Sequence, residues 1–364
     1  MPKDITKLPD YPVQSDLWDK LADETRPIVV YGMGNGADKL FDRLASVGAS
    51  VADIFASDGF VRGHSFRGMR VKSFSEIRST YSDFVILLSF ASNRAEVVEM
   101  IADIDKEYTL YIPDMPVAGV DEYFDKDFYN ANFEKIKSAY EALADGDSRN
   151  VFANVVWYKL TGEMRYLENA FCGTDELYSL MPREDIRTVI DVGAYNGDTL
   201  REMKKYFPHL SHATALEPDK KTFKRLMKYV DGESDISINA YNAAAWNEDT
   251  EGELFSSGNR NSTAVATASF ENKVCGVELI RVDSLGLSPD YIKYDVEGAE
   301  MAALEGSFKT ITRHAPALLI SLYHRSRDIF ELVLYMKEKH PGYKLYLKRL
   351  RCLPAWELNL IALA

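Results

Sequence analysis

Three short apolar runs in this chain end in acids. Thr188-Val-Ile-Asp-Val-Gly-Ala-Tyr-Asn-Gly-Asp-Thr199 carries Asp191, and Ala215-Leu-Glu-Pro-Asp219 carries Glu217. Tyr291-Ile-Lys-Tyr-Asp-Val-Glu-Gly-Ala-Glu300 carries Asp295 and Glu297. A fourth run, Leu318-Leu-Ile-Ser-Leu-Tyr-His324, ends in a histidine. Runs of this kind read as buried parallel strands, and ligands bind where the carboxyl ends of such strands leave the sheet. An acid there is costly to bury without a partner. Glu217 falls about 20 residues beyond the first turn, where a carboxylate can accept hydrogen bonds from both hydroxyls of a ribose. Asp191 could fix its own turn or meet an ammonium group. Gly193 and Gly197 let the backbone turn sharply and approach a ligand, with Ala194 and Tyr195 between them. His324 is placed to act as a general base near neutral pH, with Asp295 and Glu297 as further proton acceptors or orienting groups.

Each of these residues has a plainer reading. Asp191, Asp295 and Glu297 could cap the N–H groups of their own loops, and Asp198 and Thr199 the helix that follows them. Glu217 could pair with the lysines just after it, and His324 could bond a neighbouring loop. Tyr323, Arg325 and Arg327 could shape a pocket by position alone.

The elements that must hold these residues alternate. A helix over 198–206 follows the first strand, and strands over 212–217 and 236–240 flank a helix over 219–230. Stretches 252–257 and 277–282 read as an added β ribbon. A strand over 289–295 is followed by a helix over 300–312, then a strand over 317–323. Segments 344–347 and 358–363 form a last hairpin. Nearer the start, a short helix around Leu17, Trp18 and Leu21 precedes a second strand–glycine–helix unit, Pro27-Ile-Val-Val-Tyr-Gly-Met-Gly-Asn-Gly-Ala-Asp-Lys-Leu40. Strands over 50–56 and 84–90 and helices over 73–78 and 94–104 continue it. This is the pattern of a parallel sheet covered by helices. A helical stretch joins the two units, with helices over 133–143, 148–160 and 163–169 and Asp147-Ser148 as an N-cap. The expected domains are therefore 1–120, a smaller Rossmann-like α/β unit; 121–183, a helical connector; and 184–364.

Composition narrows the class. A chain of 364 residues is longer than one core usually serves. The net charge of −13 argues against nucleic acid as a partner. No apolar run approaches the ~20 residues of a membrane span, and the start lacks the apolar core of a signal peptide. Cys172, Cys275 and Cys352 are scattered, which fits a reducing cytoplasm and no structural zinc. Two basic clusters stand out, Lys220, Lys221, Lys224, Arg225 and Lys228 on one helical face and Lys344, Lys348, Arg349 and Arg351 near the end; both read first as solvated surface.

The segments Asp191 to Leu200 and Ile292 to Glu300 resemble the signatures of the FkbM family of methyltransferases, a D-V-G-A-x-x-G-D-T-L turn and an I-K-x-D-V-E-G-A-E strand end, with Tyr294 in the variable slot. The resemblance covers residues 185–364, about half the chain. It implies an α/β class I methyltransferase fold, a Rossmann-like seven-stranded sheet ending in an antiparallel hairpin. It implies S-adenosylmethionine as cofactor, S-adenosylhomocysteine as product, and methyl transfer to a hydroxyl of a sugar or related metabolite. Asp191, Gly193, Ala194, Tyr195, Gly197, Glu217, Pro218, Asn242, Ala243 and Asp295 then become cofactor contacts. Asn242 and Ala243 fall where that fold presents adenine, which Trp246 could cover. Asp295, Glu297 and His324 become the catalytic group. These three could also hold Mg²⁺, but nothing in their spacing demands it, and no metal is assigned.

The Gly32-Met-Gly-Asn-Gly-Ala37 turn fits G-x-G-x-x-A, a variant of the dinucleotide fingerprint, with Asp58 the only acid near the ribose position. It resembles turns of nucleotide-sugar-binding-like domains. It could dock the acceptor, serve as scaffold, or mediate a homodimer. A nicotinamide-dependent oxidoreductase using this turn, or a non-catalytic scaffold that binds the cofactor or a sugar nucleotide, are the alternatives. The first leaves Glu217, Asp295 and the final hairpin without a role.

Overall fold

The computed structural model describes residues 6–61, 63–118, 122–256, 262–265 and 273–364. Helix α1 (Leu17–Ala22) opens the described chain and buries Leu17, Trp18 and Leu21. Strand β1 (Ile28–Tyr31) is buried along its whole length and leads through the first glycine turn into helix α2 (Asn35–Ser46). Strand β2 (Val51–Ala56), a small hairpin of β3 (Ser65–Phe66) and β4 (Met69–Arg70), and β5 (Lys72–Ser73) follow. Helix α3 (Phe74–Thr80), β6 (Val85–Leu88), α4 (Ala95–Glu107) and β7 (Thr109–Tyr111) complete the unit. Its five-stranded sheet has the order β5-β2-β1-β6-β7, parallel throughout.

Helices α5 (Lys126–Ala142), α6 (Gly146–Thr161) and α7 (Met164–Ala170) come next, then β8 (Phe171–Cys172) and α8 (Thr174–Ser179). Helix α6 is capped two residues before Asp147: Asp145 accepts the Ser148 N–H at 2.7 Å. Ser148 is itself buried, and its Oγ accepts the Leu347 N–H at 3.0 Å. A helix apolar on nearly every side must be covered on every side. A single apolar cluster accordingly runs from Val29 and Ile86 through Ile136, Phe152 and Val155 to Ile190, Ile292 and Ile320.

The second sheet begins with β9 (Thr188–Val192), α9 (Asp198–Tyr206), β10 (His212–Leu216), α10 (Lys220–Gly232) and β11 (Ser237–Tyr241). Strands β12 (Ala243–Ala245), β13 (Thr250–Ser256), β14 (Ser262–Val265) and β15 (Lys273–Ile280) form a separate four-stranded sheet, β12-β15-β13-β14. Of these, β13 and β15 correspond to the ribbon expected over 252–257 and 277–282, while β12 and β14 are additional; Ser257 lies outside the described residues. The chain re-enters at β16 (Tyr291–Tyr294), then α11 (Glu300–Glu305), α12 (Phe308–His314), β17 (Ala317–Ser321), α13 (Asp328–Lys339), β18 (Lys344–Leu350) and β19 (Leu358–Leu363).

The strand order is β11-β10-β9-β16-β17-β19-β18-β8. The sheet has eight strands rather than seven because Phe171 and Cys172, from the helical stretch, pair with Arg349 and Leu350 on its outer edge. Strand β19 runs antiparallel to both neighbours, as the final hairpin requires. The single helix expected over 300–312 is two, broken at Gly306 and Ser307. A Cβ on Gly306 would lie 1.9 Å from the Trp246 carbonyl oxygen, so that carbonyl occupies the space a side chain there would fill. From β9 the chain moves to β10 and β11 on one side and returns to β16 on the other. The carboxyl ends of β9 and β16 therefore border the switch point where open sheets bind ligands.

Candidate active site

The turn after β9 is shaped by its neighbours. Gly193 has φ +90°, and a Cβ there would lie 1.9 Å from the Asp295 carbonyl oxygen. The close approach that needs glycine is thus to the β16 strand end rather than to a ligand. Gly197 likewise leaves room for the Tyr229 ring, 2.4 Å from where a Cβ would sit. Gly193→Ala combines a disfavoured backbone with a clash against main chain. It is expected to cost roughly 2–5 kcal/mol, read as a lowered thermal midpoint; an unchanged midpoint would show that the two strand ends are not locked together.

Glu217 organises the same turn from below. It is 7% exposed; its Oε2 accepts the Tyr195 N–H at 3.0 Å and its Oε1 the Asp219 N–H at 2.8 Å. Tyr195 is held at φ +48°, a left-handed conformation costly for a residue with a side chain. Burial raises the Glu217 carboxyl to about 7, against the two N–H bonds. No lysine pairs with it among the described residues. Each carboxylate oxygen keeps a further lone pair, and the residue lines the cleft above the sheet. Asn242 does not line that cleft: its Nδ2 donates to the carbonyls of Glu217 and Pro218 at 2.9 and 3.0 Å, fixing the loop. Trp246 packs against the cluster of Ala244, Val277 and Leu279 instead of over a ligand.

Asp191 is fully buried under the turn, and neither of its oxygens accepts a hydrogen bond. Burial raises its carboxyl to about 7, with Lys293 opposing and Asp198 and Asp295 adding. Lys293 stands directly across from it in the β9–β16 register. Gly197 holds the N-cap position of α9 with no side-chain bond, and Asp198, expected as a cap, accepts the Thr199 N–H at 3.0 Å from inside the first turn. The Thr199 hydroxyl instead accepts from Lys293 Nζ at 3.3 Å.

The ends of β16 and β17 carry the densest group of charges. Lys293 donates to Asp295 Oδ2 at 2.9 Å, and the Tyr323 hydroxyl donates to Asp295 Oδ1 at 3.0 Å. His324 is 1% exposed, with Nδ1 2.8 Å from Oε1 of Glu300, itself 1% exposed. Its Nε2 faces Asp295 Oδ1 at 3.5 Å and Glu297 Oε2 at 3.6 Å. Burial alone would lower the imidazole, but Glu300, Glu297 and Asp295 outweigh it and raise it to about 10. Burial would raise Asp295, yet Lys293, His324 and the Tyr323 bond bring it down to about 2. Glu297 goes the other way: burial, reinforced by Asp295 and Glu300 against His324, lifts it to about 7. Two neighbouring carboxylates are thus separated in ionisation. The three carboxylates favour the protonated imidazole, which lacks the lone pair that the expected base would use. Asp295, Glu300 and His324 each bring a ligand atom within 4.8 Å of the others. Nδ1 stands at ion-pair distance from Glu300 and Asp295 is engaged by Lys293, which is the arrangement of an ion-pair cluster.

One cleft of about 2170 Å³ joins these parts. Gly193, Tyr195, Glu217, Pro218, Ala243, Lys293, Asp295, Glu297 and His324 line it; the side of Asp191, Ala194, Gly197 and Asn242 lies behind its wall. Met33, Gly34 and Gly36 of the first glycine turn line the same cleft. Asp58 is spent on Ser75, whose hydroxyl donates to its Oδ2 at 2.5 Å.

Residues 191–345 match the family model described as the methyltransferase FkbM domain. The chain carries an FkbM methyltransferase domain. That makes it an S-adenosylmethionine-dependent methyltransferase. Its fold resembles that of methyltransferase FkbM from Methylobacillus flagellatus, at 19% identity and TM-score 0.69, over 98% of this chain and 94% of that one. Precorrin-6y C5,15-methyltransferase from Geobacter metallireducens aligns at 10% identity and TM-score 0.34, over 52% of this chain and 86% of that one. A putative caffeoyl-CoA O-methyltransferase from Staphylococcus aureus aligns at 14% identity and TM-score 0.31, over 52% and 81%. No curated protein matches the sequence.

Two residues of the FkbM site were given no role by sequence reasoning. Lys293 had a signal, a lone cation inside the apolar strand Tyr-Ile-Lys-Tyr. Glu300 had none, since an acid in a first helical turn is ordinary. The domain's wall also includes chain from outside it: the Ala118 N–H donates to the His324 carbonyl at 2.9 Å. Among the described residues no helix is long and apolar enough to cross a membrane.

Proposed function

We propose that this FkbM methyltransferase alkylates a hydroxyl oxygen of a saccharide, free or nucleotide-linked. The observation that carries the reading is Glu297, a cleft-lining carboxylate ionising at about 7, 3.6 Å from His324. A neutral alcohol is a poor nucleophile until its proton is taken, and a base is most effective when its pKa lies near the working pH. Gly193, Tyr195, Glu217, Pro218 and Ala243 would hold the cofactor, whose electrophilic methyl the acceptor oxygen receives as S-adenosylhomocysteine forms. Glu297 takes the hydroxyl proton. The His324 imidazolium, fixed by Glu300, stabilises the ionised form of Glu297 before that transfer. Asp295, clamped by Lys293 and Tyr323, stays charged and orients the acceptor.

The chain is divided here at 1–120, 121–183 and 184–364, with the first part recognising the remainder of the acceptor. Supporting this, Met33 and Gly34 line the same cleft as His324. The scattered positions of Cys172, Cys275 and Cys352, with no paired spacing, favour a reducing, cytoplasmic setting. A panel of free sugars and nucleotide sugars, incubated with S-adenosylmethionine and read by mass spectrometry and NMR, tests the reading. A methyl ether on a sugar hydroxyl is expected; methylation confined to nitrogen or carbon acceptors would sink it.

A further inference from the structure

The two basic clusters of the sequence meet different fates. Near the C-terminus, Lys348 pairs with Glu176 at 2.5 Å, Arg349 is buried and donates to the carbonyls of Leu167 and Cys352, and Arg351 faces Glu99 at 3.5 Å. Those cations are consumed by the fold. On α10, Lys220, Lys221, Lys224, Arg225 and Lys228 are all exposed. Among the described residues, none of their charged groups has an ion pair or hydrogen bond. Asp231, three residues beyond Lys228 on the same helix, is exposed; four other acids of this stretch are engaged. Asp219 caps the helix through the Thr222 N–H at 2.7 Å, Glu217 is buried, and Glu233 and Asp235 hold Lys204 at 2.8 and 2.7 Å.

At about 100° per residue the five cations cover roughly 140° of the helix, opposite buried Leu226. Their spacing sets like charges at i, i+4 twice along one row and once along the next, an arrangement that destabilises a helix unless an anion answers it. The row is continuous with the active site, because Lys221 and Arg225 line the cleft beside Pro218 and Asp219.

We infer that the outward face of α10 binds carboxylate-bearing sugar residues, so that the acceptor is a short acidic saccharide. The inference rests on the saccharide reading above and narrows it. Charge complementarity supplies the attraction. A short chain meets only the local cations, because charges more than a Debye length of about 8 Å away are screened, whereas a long polyanion such as nucleic acid must also lie along the rest of a surface whose net charge is −13. The cations span about 12 Å of helix, a reach suited to a short chain.

Calorimetric titration of trigalacturonate, maltotriose and a short oligothymidylate tests this on the full-length protein and on Lys220→Glu/Lys224→Glu/Lys228→Glu. None of those three lysines lines the cleft. Trigalacturonate is expected to bind the natural protein, more weakly as salt rises, and about tenfold or more weakly after charge reversal. Maltotriose should show no such dependence. The triple Lys→Gln variant should fall between, and S-adenosylhomocysteine affinity should be the same in all three proteins. Undetectable trigalacturonate binding, or equal binding after charge reversal, would overturn the inference, as would tighter binding of oligothymidylate through the same lysines. Failure of the saccharide reading itself would show separately, as absence of methylated sugar while trigalacturonate still binds.

Discussion

Glu217→Ala is expected to weaken S-adenosylhomocysteine binding by about two to three orders of magnitude. The carboxylate would accept two ribose hydroxyls, and hydrogen bonds to a charged acceptor contribute roughly 1.5–3 kcal/mol each. It also holds the N–H groups of Tyr195 and Asp219, at 3.0 and 2.8 Å, so its loss loosens both walls of the cofactor site. Glu217→Gln should be intermediate, because its amide nitrogen must turn toward one of those donors and can accept nothing. Calorimetric titration settles the matter, and unchanged affinity in the alanine variant would remove Glu217 from the binding site.

The second large effect falls on turnover. Glu297→Gln is expected to lower kcat by roughly 10²–10⁴-fold, the usual contribution of a general base, with little change in S-adenosylhomocysteine affinity. Its pH behaviour has a definite sign. At saturating cofactor and acceptor, kcat of the natural protein should rise as Glu297 ionises through about 7 and fall as His324 loses its proton near 10. The glutamine variant should lose the rising limb. Lys293→Met should shift that limb to higher pH, since Lys293 favours the ionised form of Glu297. A rising limb that survives in Glu297→Gln would assign the proton to another group.

The acid-tipped strands were legible because backbone pattern and chemistry coincide in them. An apolar run, then an acid, then glycine reports both a strand and its end, and helix α9 occupies the residues expected of it, Asp198–Tyr206. What each acid touches was not legible. The pairing of His324 with Glu300 depends on β16 and β17 lying side by side, a tertiary fact that no local spacing encodes. The same holds for the division between Asp295 and Glu297, which two residues of separation cannot predict. Lys293 and Tyr323 converge on Asp295, while Glu297 sits two residues on with its backbone at φ +53°. Gly193 takes the positive φ that its turn requires, and it also makes room for the Asp295 carbonyl, a neighbour that the sequence does not reveal. Trp246 shows the converse failure, since a large aromatic beside a site fits a core as well as a pocket.

Strand β18 would be the open margin of the second sheet if the chain began at β9. Instead β8 pairs with Arg349 and Leu350, and the Ser148 hydroxyl takes the Leu347 N–H. Open margins recruit other chains, and proteins conceal them. The helical stretch before the catalytic sheet therefore works as a selvedge, finishing a border that would otherwise fray into self-association. The catalytic half is for that reason not a detachable module: its seam is sewn by residues that precede it.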